Sequence, residues 1–238
     1  MSATLYGVGV GPGAPDLLTL RAVAVLRRAA VLAAPRPSEG GASLALRTAR
    51  EATGEVPGQE TLPLTFPMTR DPIARRAARD AATGAVRARL VAGRDVAFVT
   101  EGDPLLYSTF LDVLDAATGL GARVEVVPGV SSITAVAAAA RVPLADGDDR
   151  VAVLPASRAL EDLPRLARDF ETLLLLKAGR HLPELRVALS RAGCAERAWV
   201  VAEASRPGER VAPLADMDAL PHGYFTTVLV RTRAGEGA

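Results

Sequence analysis

The chain has 238 residues, enough for one large α/β domain or two smaller ones. Hydrophobic residues make up 49% and charged residues 23%, a balance that excludes an intrinsically disordered chain. A formal net charge of +1, with no basic stripe, excludes a general nucleic-acid surface. Cys194 is the single cysteine, so neither an intrachain disulfide framework nor a Cys-rich metal site can form. Lys177 is the one lysine beside many arginines, a bias that points to high-GC coding. No leader-like segment and no apolar run of membrane-spanning length is present, and the cytoplasm is the expected location.

Leu5–Val10 reads as a strand running into the glycine-rich turn Gly7–Gly13, followed by a helix from about Leu17 to Leu26 with Asp16 in its first turn. Val31–Ala33 is a short strand, Leu44–Ala52 a helix ending near Gly54, and Glu60–Leu64 a further strand. A loop at residues 66–72 leads into a long Ala/Arg-rich helix, Ile73–Ala92, whose arginines read as a solvated face. The apolar run Val96–Val99 is a buried strand that stops at Glu101-Gly102-Asp103-Pro104. A helix is expected over Leu105–Ala117 and a strand over Arg123–Val127. This alternation predicts a parallel sheet covered by helices on both faces.

Val130–Ala140 is a small-residue helix opening with Ser131 and Ser132. Strands follow at Val151–Leu154, Thr172–Leu176, Trp199–Ala202 and Tyr224–Val230, with a helix at Leu182–Ala192. The chain therefore divides into two α/β domains, residues 1–128 with a parallel sheet and 129–238 with a mixed one; residues 234–238 read as a loose tail.

Gly9-Val10-Gly11-Pro12-Gly13-Ala14 fits the permissive dinucleotide pattern G-x-G-x-x-A, which keeps a nicotinamide-dependent oxidoreductase open. Pro12 and Pro15 interrupt the N–H array that a pyrophosphate needs, and no acidic residue closes the second strand. An idle glycine-rich turn is the plainer alternative. His181 and His222 lack zinc spacing, Cys194 reads as structural, and Ser131-Ser132 lacks a nucleophile elbow. No metal site is expected, and no catalytic residue stands out.

Four stretches, in order, resemble the tetrapyrrole methylase family: GVGVGPGAPDLLTL (7–20), TEGDPLLYSTF (100–110), VVPGVSSITA (126–135), and the pair LLLLKAG (173–179) with EASRPGERV (203–211). LTFPMTRDP (64–72) and DDRVAVLPA (148–156) add likeness to its precorrin-2 C20-methyltransferase branch. The resemblance implies an α/β fold of two domains, unlike the Rossmann methyltransferases, with S-adenosyl-L-methionine in the interdomain cleft of a homodimer. It implies cofactor contacts from Pro12, Glu101, Gly102, Asp103, Leu106, Ser131, Ser132, Lys177, Ala178, Ala204 and Ser205. The common G-P-G-D-P loop carries Ala14 in place of its acid, with Asp16 nearby.

The activity implied is methyl transfer to C20 of precorrin-2 in cobalamin biosynthesis, releasing S-adenosyl-L-homocysteine. A cobalt-containing substrate, another ring position such as C2 or C7 of uroporphyrinogen III, and a non-catalytic binding module remain open. The substrate carries several carboxylates, for which Gly11, Arg36, Arg70 and Arg206 are candidate contacts. No nucleic-acid or membrane partner is expected.

Overall fold

The computed structural model describes residues 3–69, 71–119, 121–219 and 223–233; Arg70, His222 and the tail lie outside the described residues. The chain forms two compact units, Met1–Ser131 and Ser132–Ala238.

The first unit carries β1 (Thr4–Gly9), α1 (Leu20–Arg28), β2 (Val31–Arg36), α2 (Leu44–Thr53), β3 (Glu60–Thr65), α3 (Pro72–Val91), β4 (Val96–Thr100), α4 (Phe110–Gly119) and β5 (Arg123–Val127). Its five strands pair in the order β3-β2-β4-β1-β5, all parallel. Side chains alternate between two cores. Tyr6, Val8, Leu32, Ala97 and Val99 meet α1 and α2 on one face. Leu5, Val31, Ala33, Val96 and Phe98 meet α3 and α4 on the other. Burial on both faces explains why these strands read as unbroken apolar runs.

Local chemistry sets the helix starts. The Thr19 hydroxyl accepts from Ala22 N–H at the start of α1, and Ser43 accepts from Leu46 N–H at the start of α2. Gly54, at φ +71°, closes α2. The helix expected from Leu17 begins instead at Leu20, because Pro15–Leu17 close a 3₁₀ turn first. Asp16 therefore lies in that turn and not in the helix.

The helix expected from Leu105 begins at Phe110. Asp103 Oδ1 accepts from Leu105 N–H, Tyr107 takes φ +52°, and Ser108 Oγ accepts from Phe110 N–H. Side chain-to-backbone bonds of this kind compete with helix, so residues 103–109 form a loop and Pro104 is not a first helical position.

The second unit carries α5 (Ser132–Ala140), β6 (Val151–Pro155), α6 (Ala156–Ala159), α7 (Leu163–Asp169), β7 (Thr172–Leu176), α8 (Leu182–Arg191), β8 (Ala198–Ala202), β9 (Arg210–Pro213) and β10 (Thr226–Arg231). Its sheet runs β6-β7-β10-β8-β9 and is mixed: β6 and β7 are parallel, and β10 is antiparallel to both its neighbours. Leu174, Val201 and Leu229 pack under α5, whereas Leu173, Leu175, Val200, Val228 and Val230 pack under α6, α7 and α8. Helices α6 and α7 and edge strand β9 are absent from the sequence reading. Three of the four residues of β9 are exposed, which leaves no alternation to detect.

Glu171 ties the start of β7 to two other segments: its carboxylate accepts from Arg150 N–H at 2.9 Å and lies 3.0 Å from Arg233. Hydrogen bonds from the Arg150 side chain and then its backbone hold the Glu171 carboxyl at about 2, below its ordinary 4.5. Because the folded value is depressed, the stabilisation is complete above the unfolded value and fades as pH falls toward 2. Glu171→Gln should therefore melt below wild type at pH 7, with the gap in melting temperature closing as pH drops from about 5 to about 2.

Candidate active site at the strand ends

In the first unit, leftward connections (β1 to β2, β2 to β3) run over the α1/α2 face and rightward ones (β3 to β4, β4 to β5) over the α3/α4 face. The loops after adjacent strands β1 and β4 thus leave in opposite directions. In open parallel sheets, ligands bind outside the carboxyl ends of strands at such a switch point.

Three glycines make this point. A Cβ on Gly9 would lie 2.5 Å from the Gly102 carbonyl oxygen and 2.7 Å from the Gly129 Cα; one on Gly129 would lie 2.1 Å from that same oxygen. The ends of β1, β4 and β5 therefore meet backbone against backbone, closer than any side chain permits. Val10 N–H donates to Thr100 O at 2.9 Å, and Gly102 N–H donates to Gly11 O at 2.7 Å, an isolated antiparallel bridge. Gly11 and Gly102 both take positive φ, +77° and +65°.

Asp103 binds across this junction. Its Oδ1 accepts from Leu105 N–H at 2.9 Å and its Oδ2 from Gly129 N–H at 3.1 Å. Behind it, the Thr100 and Ser108 hydroxyls lie 2.9 Å apart. The structure thus brings Gly11, Pro12, Glu101, Gly102, Asp103 and Leu106 to one edge, with Pro12 buried and Glu101 and Leu106 half-buried. Arg36, the last residue of β2, reaches the same edge of the sheet, where its Nε donates to Thr65 Oγ1 at 3.1 Å. Ser131 ends the first unit, and Ser132 opens α5 in the second.

In the second unit, Lys177 and Glu203 follow the ends of β7 and β8, which flank the start of β10. Ala178 N–H donates to Thr226 O at 2.8 Å and Glu203 N–H to Phe225 O at 2.9 Å. Ala178, Ala204, Ser205 and Arg206 are thereby gathered about residues 225–226, although the Ala178 side chain is fully buried in the α8 core. Arg206 lies 3.9 Å over the Phe225 ring and 3.8 Å from Glu203. Five non-glycine residues have positive φ among those described, and Tyr107, Lys177, Glu203 and Ser205 are four of them. Strain of this kind collects at functional sites.

Sequence reasoning missed Gly129, Tyr224 and Phe225 as site residues. The glycine in Val127-Pro128-Gly129 was a visible signal, whereas the aromatic pair opens the run Tyr224–Val230 that reads as a strand, although β10 begins only at Thr226. Cys194 is buried, and burial pushes its thiol pKa up, as a structural cysteine requires.

A family model described as tetrapyrrole (corrin/porphyrin) methylases matches residues 4–218. The chain belongs to the tetrapyrrole methylase family. A cobalt-precorrin-2 C(20)-methyltransferase of Salmonella typhimurium is 35% identical over 232 residues, 97% of this chain and 97% of the relative. A precorrin-2 C(20)-methyltransferase of a Sinorhizobium species is 36% identical over 234 residues, 95% of this chain and 94% of the relative. The structure of a cobalt precorrin-4 methyltransferase matches with a TM-score of 0.73 at 24% identity, covering 97% of this chain and 96% of that one.

The oxidoreductase alternative fails on topology. A dinucleotide fold runs β3-β2-β1-β4-β5, with a helix opening directly on the first glycine loop. This methylase inserts β4 between β2 and β1, and α1 opens only at Leu20.

Two substitutions test the junction. Gly129→Ala should cost about 3 kcal/mol, since backbone lies on both sides, and lower the melting temperature by roughly 6–12 °C. Asp103→Asn puts an amide N–H where an acceptor is needed and should cost about 2 kcal/mol in chemical denaturation. Cofactor affinity should fall along with that stability. Weakened affinity at unchanged stability would show that Asp103 acts on the ligand and not through Gly129.

Proposed function

We propose that this methylase transfers the methyl group of S-adenosyl-L-methionine to C20 of precorrin-2, or of its cobalt-containing counterpart, in cobalamin biosynthesis. The observation that carries the reading is similarity over nearly the whole chain to enzymes named for that C20 methylation, in two organisms. A solved relative, uroporphyrin-III C-methyltransferase of Thermus thermophilus complexed with S-adenyl homocysteine (TM-score 0.67, 24% identity, 96% of this chain and 97% of that one), has the same fold. The cytoplasm and a homodimer complete the reading by family resemblance.

The donor set at the switch point fits such a cofactor. Two half-buried acidic residues, Glu101 and Asp103, lie in the turn after β4. Acidic groups attract a sulfonium and an α-ammonium, and repel a pyrophosphate. Pro12, Gly102, Leu106, Ser131, Ser132, Ala178, Ala204 and Ser205 complete the residues we assign to cofactor binding.

When bound, the cofactor supplies an electrophilic methyl on a positively charged sulfur. Transfer of that methyl to C20 would release S-adenosyl-L-homocysteine, with the C20 proton passing to solvent as conjugation is restored. The protein's part is alignment and exclusion of water. The glycine junction fixes the loops after β1, β4 and β5, whose residues would hold the sulfonium for in-line transfer. Loop carbonyls and N–H groups are already oriented before the charge moves.

Incubation with S-adenosyl-L-methionine carrying a labelled methyl, separately with precorrin-2 and its cobalt form, should place one label at C20 by NMR. Label at C2 or C7 would overturn the assignment, and calorimetric binding of NADH in place of S-adenosylhomocysteine would overturn the whole class.

A further inference from the structure

Thr100 closes β4 and is buried, 6% exposed. A buried hydroxyl needs a partner. Its Oγ1 lies 2.9 Å from the Ser108 Oγ, and that oxygen also accepts from Phe110 N–H at 3.0 Å. The Thr100 carbonyl meanwhile accepts from Val10 N–H at 2.9 Å. One residue therefore fastens two loops. Its main chain holds the glycine loop after β1, and its side chain closes residues 101–108 into a ring.

The second fastening works against a competing structure. The sequence pattern carries helix α4 back to Leu105, whereas the helix opens at Phe110. For residues 105–109 to join it, Tyr107 would have to leave φ +52° for the ordinary right-handed region. A left-handed tyrosine persists only where its surroundings over-determine it. Two side chains do so here. Asp103 Oδ1 accepts from Leu105 N–H at one end of the segment, and Ser108 Oγ accepts from Phe110 N–H at the other. Asp103 is held in place by Gly129 N–H on its second oxygen. Ser108 is held in place by Thr100.

We infer that the Thr100–Ser108 hydroxyl pair is a positioning latch, which keeps Glu101–Tyr107 in its loop form before the cofactor arrives. The inference rests on the cofactor assigned under the proposed function, and it requires neither hydroxyl to touch that cofactor. Such a latch acts on affinity. A loop that must first be ordered takes the cost of ordering out of the binding free energy, while the complex once formed is the same. The effect therefore falls on cofactor binding and not on turnover.

Thr100→Val keeps the shape of the side chain and removes the hydroxyl. Calorimetry with S-adenosylhomocysteine should give a Kd about tenfold above wild type, the worth of one hydrogen bond, with kcat on precorrin-2 at saturating S-adenosyl-L-methionine within about twofold. Thr100→Ser restores the hydroxyl and should return Kd to within about twofold of wild type. Ser108→Ala removes both of its bonds and should weaken binding at least as much. The Thr100→Val/Ser108→Ala double variant should bind as Ser108→Ala alone does, because the two hydroxyls act as one unit. A merely structural pair would lower the melting temperature and leave Kd unmoved. Wild-type Kd in Thr100→Val, failure of Thr100→Ser to restore it, or effects that add in the double variant would overturn the inference and leave the proposed function standing. A wild-type chain that binds no S-adenosylhomocysteine overturns both.

Discussion

The contact of Gly9, Gly102 and Gly129 is the constraint on which the first unit depends. β1 sits between β4 and β5, and all three run parallel, so their carboxyl ends arrive side by side. Ordinarily side chains would hold those ends apart. Here the Gly102 carbonyl stands 2.1 Å from where a Cβ of Gly129 would be, and only hydrogen fits. The close approach lets one carboxylate, Asp103, accept N–H groups from its own turn and from the loop after β5. Two residues before the end of β1 the device recurs: a Cβ on Gly7 would lie 2.4 Å from the Phe110 ring. Phe110 fills that space and anchors the first turn of α4, which fixes the far end of the 101–109 loop. Glycine at alternate positions of β1 therefore sets both the depth of the helix layer and the spacing of the loops after β1, β4 and β5.

The second unit meets the same geometric demand differently. Chain reversals at the ends of β7 and β8 also need left-handed backbone, yet Lys177, Glu203 and Ser205 occupy those positions. A left-handed non-glycine residue costs about 1–2 kcal/mol. Glycine would remove that cost, so the side chains are there for reasons other than folding. The first unit uses its strand ends to bring backbone close, and the second uses them to present side chains.

The sequence carried the layer pattern of the first unit plainly because its inner strands β2, β4 and β1 are buried on both faces. Val31–Ala33 and Val96–Val99 are apolar runs bounded by turns, and no competing element imitates them. It carried the helix at Leu105 poorly, because Leu105, Leu106 and Tyr107 look like the opening of α4 until Asp103 bonds Leu105 N–H and redirects the chain. Edge strand β9 left no signal, being exposed and short. The site was legible as four motifs and not as contacts. Nothing in Pro128-Gly129 announces that Gly129 donates to Asp103, since the two are joined only by strand order. The Tyr224–Phe225 pair was hidden for the same reason: its partners, Lys177 and Arg206, come from strands that become its neighbours only when β10 inserts between them.

Strand order also decides which of two look-alike glycine loops this is. Gly9–Ala14 satisfies a dinucleotide pattern residue by residue, but that pattern works through a helix N-terminus aimed at phosphate. Inserting β4 between β2 and β1 brings the Glu101–Asp103 turn against the glycine loop, and α1 opens only beyond a 3₁₀ turn. The place of a positive dipole is taken by two carboxylates. Moving one strand by one position therefore changes the charge at the switch point, from a positive helix end to two carboxylates, with the glycine signature unchanged. A glycine loop after a first strand identifies a close approach of backbone; the neighbour across the sheet decides what approaches it.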